Sequence, residues 1–459
     1  MKFLVSLVLI VALAAGGAYV YAGRLPGPTI EFIKPEKFVG LSTPAEIVVG
    51  ATGTQLKTLT MTLEQNGKQF PLYTLGQQGA EVKEEQKDGA TVLRVKRDVG
   101  KQSVAELVSG PARILVTASQ PVLRGIRVAE TTVIKDVTVR LERPRVSVIS
   151  THHFINHGGA EVVVYRATPD DITSGVVVGD TEYPGYPAAT AGVPGITVKD
   201  PAVKVAFFAL RHDQDLNTPI RVFGRDEAGN VARAEFDKRV FPKPFKKSRI
   251  EVNDSLIDRV VPAILEGTTE IKPDGDNLAK FLVINSELRQ KNAEKIASFA
   301  KQTAPEMLWG GQVFHTFKNN AVESAFADAR TYIYKGKEVD RQTHLGFDLA
   351  SYAGTPIVSA NRGKVLFADE LGIYGNCVII DHGMGVQSLY AHLSSMDVKA
   401  GDTVEKEQQI GRSGMTGMAG GDHLHFTMLI NGHMVNPVEW WDAHWIEDRI
   451  LRKLRSAGS

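Results

Sequence analysis

The chain has 459 residues, which is too long for one hydrophobic core and predicts about three domains. Its formal net charge is +1 and 23% of its residues are charged, so no overall field attracts nucleic acid or an anionic membrane. The one cysteine, Cys377, excludes an intramolecular disulfide framework and a cysteine-rich zinc module. Because Cys377 lies in the apolar run NCVIID, we expect it to be a small buried hydrophobic residue.

The N-terminal segment predicts export. Residues 3–22 are uncharged and mostly apolar, and a helix of this length can span a bilayer. Lys2 precedes them, so we expect the amino terminus to stay inside and everything after Arg24 to face an extracytoplasmic space. Val20-Tyr21-Ala22 also fits a cleavage site, and the sequence leaves open whether residues 1–24 are a signal peptide or a transmembrane anchor.

Two blocks of short strand-like runs follow. Residues 27–143 contain alternating runs such as PAEIVVGAT and ARILVTAS, separated by Gly, Pro and Asn-Gly turn signals. Residues 145–245 contain AEVVVYRAT, VKVAFFALR and PIRVFGRDEAGNVARAEF. The last run, with its DEAGN turn, resembles strands of bacterial immunoglobulin-like domains. We therefore expect two tandem immunoglobulin-like β-sandwiches.

The second block holds a histidine-rich segment, THHFINHGG, with His152, His153 and His157. His153 and His157 would meet on one face of a helix. The segment lies between two strand-like runs and ends in Gly-Gly, which favours a turn over a helix, so we do not expect a metal site here.

Residues 250–308 change to a helical period, with Leu288, Ile296 and Phe299 on one side and charged residues on the other. We expect a helical connector here. From residue 309 to residue 445, strand patterns and short Gly-rich turns return, and residues 446–459 are expected to form a C-terminal tail. The predicted fold class is thus mostly β and multidomain.

Eight of the twelve histidines lie after residue 310. A strand over 423–430 alternates its side chains between two faces, with the apolar residues on one face and His423 and His425 on the other. A strand over 386–393, joined by the hairpin turn DHGMG to the strand NCVIID, places His392 on a similar polar face. We expect these faces to lie off the core and to bring the three histidines together.

The segment HLGFDLA adds His344 and Asp348. In a flat strand four steps span about 13 Å, which is too far for both side chains to reach ligand positions at about 2 Å from one metal. Gly346 lies midway, and a residue without a Cβ permits the bend that is needed. Two histidines and one aspartate match a catalytic zinc site, which uses three protein ligands and keeps a fourth position open.

The C-terminal sequence resembles a known family. Residues 309–442 are similar to lysostaphin and related peptidoglycan endopeptidases, the M23 or LytM-type metallopeptidases. HLGFDLASYAGTPIVSANRGKVLFA carries the His-x-Gly-x-Asp motif, YGNCVIIDHGMGVQSLYAHLSSM the catalytic-strand histidine, and GGDHLHFTMLINGHMVNPVEWW the His-x-His motif. Two residues depart from the pattern: Ala327 stands where glycine is commoner, and Asp422 where proline or a small residue is. We expect Asp422 to face solvent and, beside His423, to raise its pKa.

The resemblance implies an antiparallel-β peptidase domain over residues 309–445 and one Zn²⁺ per chain. It implies that His344, Asp348 and His425 bind the zinc, while His392 and His423 are catalytic. The chain has no His-Glu-x-x-His motif, so these histidines must carry the proton transfers. Which histidine takes which proton stays open. The implied activity is a zinc metalloendopeptidase that hydrolyses peptide cross-links of bacterial peptidoglycan.

Two alternatives remain. In the first alternative, the C-terminal module does not hydrolyse peptides. It is instead a LytM-type activator or scaffold for another cell-wall hydrolase, and the β-sandwiches are its docking surface. VKAGDTVEKEQQIG also resembles the hammerhead of lipoyl and biotinyl carriers, but Thr416 stands where a carrier needs a lysine. The expected partners are peptidoglycan cross-links, other proteins through the immunoglobulin-like domains, and the membrane if residues 3–22 are retained. The expected location is the periplasm, with anchoring to the inner membrane in that case, and no nucleic acid is expected.

Overall fold

The computed structural model describes residues 2–458 except 53, 54, 88, 89, 124, 316, 318 and 319. It begins with the helix α1 (Lys2–Ala22). Within the described residues, no helix combines the length and the apolarity needed to cross a membrane. The chain divides into two compact units, Met1–Pro144 with Arg225–Ala232, and Arg145–Gly224 with Arg233–Ser459.

The first unit contains two sheets around one hydrophobic core. Ile47 and Val95 of one sheet and Met61 and Ile114 of the other are fully buried in this core. The strand orders are β1-β3-β7-β6 and β2-β9-β8-β4-β5, for strands with these bounds: β1 (Thr29–Lys34), β2 (Phe38–Val39), β3 (Thr43–Thr52), β4 (Thr58–Gln65), β5 (Lys68–Thr74), β6 (Glu81–Lys87), β7 (Ala90–Val99), β8 (Gly110–Val122) and β9 (Arg127–Val139). Burial alternates along β4 because successive side chains of a strand point to opposite faces.

The second block forms two larger sheets and one pair of parallel strands. The orders are β10-β12-β16-β15, β14-β13-β17-β18 and β11-β19. Their bounds are β10 (Arg145–Val148), β11 (His153–Asn156), β12 (Ala160–Thr168), β13 (Thr173–Val178), β14 (Thr181–Pro184), β15 (Tyr186–Pro187), β16 (Val203–Ala209), β17 (Ile220–Arg225), β18 (Val231–Ala234) and β19 (Lys238–Phe241). A 3₁₀ turn covers Ala188–Thr190. The immunoglobulin-like classification of both blocks stays a prediction.

Within THHFINHGG, residues 153–156 form the strand β11, which pairs in parallel with β19, and a turn follows at residues 157–158, so the segment is not helical. His153 lies with Nε2 2.9 Å from Ser150 Oγ and Nδ1 2.9 Å from the Asp237 carbonyl oxygen. His157 contacts the Gln214 carbonyl oxygen instead, at 3.0 Å from Nε2. The two rings therefore bond to separate partners.

The connector is helical and begins four residues after its predicted bound, because residues 250–252 belong to a strand. Its bounds are α2 (Asp254–Glu266), α3 (Asn277–Val283), a π turn (Ile284–Leu288), α4 (Arg289–Ser298) and a 3₁₀ turn (Phe299–Gln302). Asn253 caps α2 by accepting from Leu256 N at 2.9 Å. The apolar side predicted for Leu288, Ile296 and Phe299 is buried.

The C-terminal part is built on an eight-stranded sheet of order β21-β24-β32-β28-β27-β26-β30, in which β33 pairs with β32. Two smaller three-stranded sheets have the orders β20-β22-β23 and β25-β31-β29. The strands are β20 (Lys247–Val252), β21 (Ala321–Ser324), β22 (Asp328–Tyr334), β23 (Lys337–His344), β24 (Phe347–Ala350), β25 (Pro356–Val358), β26 (Gly363–Glu370), β27 (Asn376–Gly383), β28 (Val386–Leu393), β29 (Ser395–Met396), β30 (Thr403–Val404), β31 (Gln409–Arg412), β32 (Leu424–Ile430) and β33 (His433–Val435). The fold is thus mostly β, as predicted.

Residues near the C-terminus are helical and packed. The helices are α5 (Ala443–Ile446) and α6 (Arg452–Gly458), joined by a π turn (Glu447–Leu451), with 3₁₀ turns at Gly372–Tyr374 and Pro437–Trp441. Lys453 donates to Glu161 Oε1 at 2.7 Å, and both side chains are buried. The predicted tail, residues 446–459, is therefore bonded to β12 of the second block. One continuous hydrophobic core joins this block, the connector and the C-terminal sheet.

Candidate metal centre

The centre is built where β23 gives way to β24. His344 is the last residue of β23 and Asp348 the second residue of β24, so the chain bends at Leu345 and Gly346 between them. A Cβ on Gly346 would lie 2.5 Å from Cε1 and Nε2 of His425 and 2.9 Å from the Phe426 carbonyl oxygen. The predicted bend is present, and glycine is required there because the His425 ring approaches the backbone closely.

Strand pairing brings the remaining residues alongside. Asp348 of β24 lies opposite His425 of β32, and His425 lies opposite Ala391 of β28, so His392 follows one step further. His392 has φ +62°, a left-handed conformation that is uncommon for a residue with a Cβ and costs about 1–3 kcal/mol.

The histidine-bearing faces are buried as well as the apolar ones. Every residue of β28 and of β32 is buried, because both are inner strands of the sheet and their polar faces are covered. The Tyr390 hydroxyl accepts from Ala360 N at 2.7 Å, and Ser388 Oγ lies 2.7 Å from His382 Nε2. The polar side chains of this face bond to one another or to loops above the sheet.

Three ligand atoms meet in a small triangle. His344 Nε2 lies 2.9 Å from Asp348 Oδ1 and 3.0 Å from His425 Nδ1, and the latter two atoms lie 3.0 Å apart. The residues are 6%, 8% and 5% exposed, in the order His344, Asp348, His425. Ligands at about 2.0–2.1 Å from a tetrahedral metal are roughly 3.4 Å from one another, so a slight opening of this triangle accommodates an ion. The three residues can therefore hold a metal ion.

The chemistry of the donors also fits a cation. His344 Nδ1 lies 3.1 Å from the Ala325 carbonyl oxygen, which only accepts hydrogen bonds, so Nδ1 carries the proton. In the neutral ring Nε2 is then an acceptor, and it faces the Asp348 carboxylate, which is a second acceptor. Two buried acceptors in contact need a proton or a metal cation between them, and the three side chains can supply the site for either.

Arg330 of β22 holds the other oxygen of Asp348. Its Nη2 donates to Asp348 Oδ2 at 3.0 Å and to Ser324 Oγ at 2.8 Å. Burial raises the pKa of Asp348, but His344 above all, with His423 and His425, outweighs burial and holds this pKa well below its usual range. The sequence analysis missed Arg330, since its spacing from Asp348 carries no motif.

His392 and His423 are oriented by backbone carbonyl groups. His392 Nδ1 lies 2.8 Å from Thr416 O and His423 Nδ1 lies 2.9 Å from Gly421 O, so in both neutral rings Nε2 is the acceptor. The ring centroids of the two histidines are 4.9 Å apart. Burial, followed by His423 and His425, lowers the pKa of His392 well below its usual value. Burial also lowers the pKa of His423, but Asp348 outweighs it and raises this pKa.

The expectation for Asp422 is wrong on both counts. Asp422 is half-buried and accepts from Ser413 Oγ at 2.5 Å and from Gly354 N at 3.2 Å, so it joins two loops instead of facing solvent. The raised pKa of His423 comes from Asp348, because the Asp422 carboxylate is turned toward Ser413. The other departure, Ala327, has φ +60°, a left-handed conformation in which glycine is less strained.

A cavity of about 160 Å³ opens onto the ligands. His344, Asp348, His392, His423 and His425 line it together. Other lining residues were not found from the sequence, namely Arg330, Tyr374 and, from α4 of the connector, Arg289 and Ala293. The Tyr374 ring packs against His425 with centroids 5.6 Å apart. Arg289, Ala293 and Arg330 come from elements outside the three quoted motif segments, whereas Tyr374 opens the second of them, where no pattern sets it apart.

Comparison with known proteins identifies this region. The family model described as Peptidase family M23 matches residues 342–437. Over 95 residues the chain is 44% identical to the DD-carboxypeptidase/endopeptidase Mpg of Neisseria meningitidis serogroup B, covering 21% of this chain and 22% of that protein. Over 96 residues it is 43% identical to a metalloprotease of Haemophilus influenzae, covering 21% of this chain and 20% of that protein.

A third relative is the peptidoglycan DD-endopeptidase ShyA of Vibrio cholerae, which is 38% identical over 96 residues, 21% of this chain and 22% of that protein. The chain thus matches about a fifth of the length of these curated relatives. The resemblance found in the sequence is confirmed by these matches: residues 342–437 are a domain of peptidase family M23.

Proposed function

We propose that the chain is a zinc metalloendopeptidase that hydrolyses peptide cross-links of bacterial peptidoglycan. The observation that carries this proposal is the triangle of His344 Nε2, Asp348 Oδ1 and His425 Nδ1, which lines a cavity with two further histidines. The names of the relatives support the substrate class, since ShyA is a peptidoglycan DD-endopeptidase. We assign the peptidase module to residues 309–445, which extends beyond the matched segment on both sides.

In this proposal His344, Asp348 and His425 are the zinc ligands. Two imidazoles and one carboxylate with an open fourth position are typical of catalytic zinc, which lowers the pKa of water and polarises a carbonyl group when bound. The Ala325 carbonyl group fixes the tautomer of His344, and Arg330 orients the Asp348 carboxylate. Such outer contacts hold ligand atoms ready for the metal.

His392 and His423 carry the proton transfers. Each presents Nε2 while its Nδ1 is held by a backbone carbonyl group. One of them accepts the proton of the attacking water, and the other stabilises the oxyanion or protonates the leaving amine. The division of the two roles between these residues stays open, as the sequence left it.

The proposed substrate places the chain outside the cytoplasm, in the periplasm, with its two N-terminal β blocks available as spacers or partner-binding domains. The alternative of a non-hydrolytic activator is not favoured, since the ligand triangle and both further histidines are complete.

Digestion of a defined cross-linked muropeptide dimer tests the proposal. The full chain with zinc should convert the dimer to monomers that mass spectrometry identifies, and a chelator should stop the reaction until zinc is restored. An activator would leave the dimer intact by itself with zinc present, and this result would overturn the proposal.

A further inference from the structure

The connector contributes a cation to the cavity of the metal centre. Arg289, the first residue of α4, lines the cavity together with His344, Asp348 and His425. This residue lies outside the matched family segment, residues 342–437. Its role is therefore a property of this chain that the family match does not describe.

Hydrogen bonds hold the Arg289 guanidinium group in place, but no carboxylate among the described residues neutralises its charge. Nε donates to the Asn285 carbonyl oxygen at 3.0 Å and Nη2 to Asn285 Oδ1 at 2.5 Å, while Nη2 also lies 3.7 Å from Met418 Sδ. All these partners are uncharged. Among the described residues no carboxylate forms an ion pair with Arg289, whereas the neighbouring Arg330 is paired with Asp348.

The charges around the cavity are unbalanced. The charged side chains among its described lining residues are Arg289, Arg330 and Asp348, and Arg330 has a second carboxylate partner behind the lining, since its Nε lies 3.7 Å from Asp328 Oδ2. The histidine ligands of a metal are neutral. A divalent cation held by the ligand triangle would make this space positive, with Arg289 as the arginine that no described carboxylate pairs. A charge in a partly enclosed site attracts an opposite charge more strongly than the same charge does on an open, solvated surface.

We propose that Arg289 is a specificity residue that binds a carboxylate of the substrate peptide close to the scissile bond. The inference rests on the proposed function and adds the chemistry of the substrate to it. A guanidinium group binds a carboxylate through two parallel hydrogen bonds. Asn285 holds Nε and one hydrogen of Nη2, so Nη1 and the other hydrogen of Nη2, which faces Met418 Sδ at 3.7 Å, are left for this contact.

The size of the cavity limits where this carboxylate lies. One space of about 160 Å³ is lined by both Arg289 and the ligand triangle. Each residue of an extended peptide spans about 3.3–3.6 Å, so the carboxylate belongs to a residue that forms the scissile bond or to its neighbour. The substrate class is thus a peptide with a free carboxylate beside the cleaved amide.

A pair of synthetic peptides tests the inference. The two are identical except that the carboxylate beside the scissile amide is free in one and converted to a carboxamide in the other. We expect the zinc-loaded full chain to cleave the free acid with a kcat/KM about tenfold or more above that of the amide. Arg289→Gln should remove this preference by slowing cleavage of the acid alone, and Arg289→Lys should restore part of it.

Lys291→Gln is the matched control, because it removes one positive charge from the same helix at a side chain that is 41% exposed and contacts Glu287 at 3.6 Å. It should keep the full preference. A purely structural role for Arg289, in attaching α4 to Met418, would lower the melting temperature and slow both peptides equally in Arg289→Gln. That outcome would overturn the inference.

A binding measurement separates this inference from the proposed function. Both peptides are titrated into the zinc-loaded His392→Ala variant, with and without Arg289→Gln, and the heat of binding is recorded. Tighter binding of the free acid that disappears with Arg289→Gln supports the inference, and equal binding of acid and amide overturns it. If the unmodified chain cleaves neither peptide, the proposed function fails while the titration still decides the role of Arg289.

Discussion

His344 Nε2 lies 2.9 Å from Asp348 Oδ1, and the Ala325 carbonyl group holds the proton of this imidazole on the opposite nitrogen. Both facing atoms are then hydrogen-bond acceptors, and both residues are buried. Such a contact is unfavourable unless a proton or a metal cation lies between the two atoms. The bend at Gly346 brings the two side chains together, and the position of the proton on His344 leaves a place for a metal ion between them.

Gly346→Ala should weaken metal binding. The added Cβ would lie 2.5 Å from the His425 ring and 2.9 Å from the Phe426 carbonyl oxygen, so the ring or β24 must move. We expect a loss of stability of about 1–3 kcal/mol, as for other overpacked sites, and a lower affinity for zinc. Chemical denaturation and competition with a chromogenic chelator measure the two effects.

Gly420→Ala is the control for this substitution, because its Cβ would meet no atom within 4 Å. This control should bind zinc as the unmodified chain does. Unchanged zinc affinity in Gly346→Ala would show that the close approach of His425 does not set the ligand geometry.

Arg330→Gln should lower zinc affinity by about 10–100-fold, the range seen when a contact behind a metal ligand is removed. The substitution leaves Asp348 Oδ2 without its 3.0 Å ion pair. Arg341→Gln removes a guanidinium from the adjacent strand, β23, where the side chain is 75% exposed and paired with Glu338. Equal zinc affinities of these two variants would contradict a positioning role for Arg330.

The sequence predicts those parts of the site that depend on local pattern. The period of two in β28 and β32, and the missing Cβ of Gly346, place His392, His423 and His425 near the bend. Arg330 escapes prediction because its contact with Asp348 depends on the way β22 approaches β24 in space. The environment of Asp422 escapes for the same reason, since its partners Ser413 and Gly354 lie on two separate loops.

Burial is also set by tertiary structure. Alternation predicts that two faces differ in polarity, and this holds for β28 and β32, yet both faces are covered. The cover on the polar side includes the loop around Ala360, whose backbone nitrogen donates to Tyr390. A period of two carries no information about which distant segment lies over a strand.

Glu439 should make stability depend on pH. Burial raises its pKa to about 7, although its carboxyl group accepts hydrogen bonds from Ala160 N and Asn156 Nδ2, both at 2.7 Å. Glu161 raises this pKa further and Lys243 lowers it. The folded group keeps a proton that the unfolded chain loses above its usual pKa of 4.5. Its contribution to stability is therefore complete below pH 4.5 and is lost as the pH rises to about 7.

Glu439→Gln removes this titration and keeps the shape of the side chain, since the Asn156 amide can turn to accept from the new amide. Melting temperatures between pH 4.5 and 8 should fall more steeply for the unmodified chain than for Glu439→Gln. Parallel curves for the two proteins would show that Glu439 does not hold its proton in the fold.

The zinc content of His423→Ala and His425→Ala, measured by inductively coupled plasma mass spectrometry on equal amounts of folded protein, tests the central claim most directly. His423 directly precedes β32 and His425 is its second residue, but only His425 belongs to the ligand triangle. We predict that His425→Ala loses its zinc, as His344→Ala and Asp348→Ala do, while His423→Ala and His392→Ala keep one zinc per chain and lose cleavage. Equal loss of zinc from His423→Ala and His425→Ala would contradict this account.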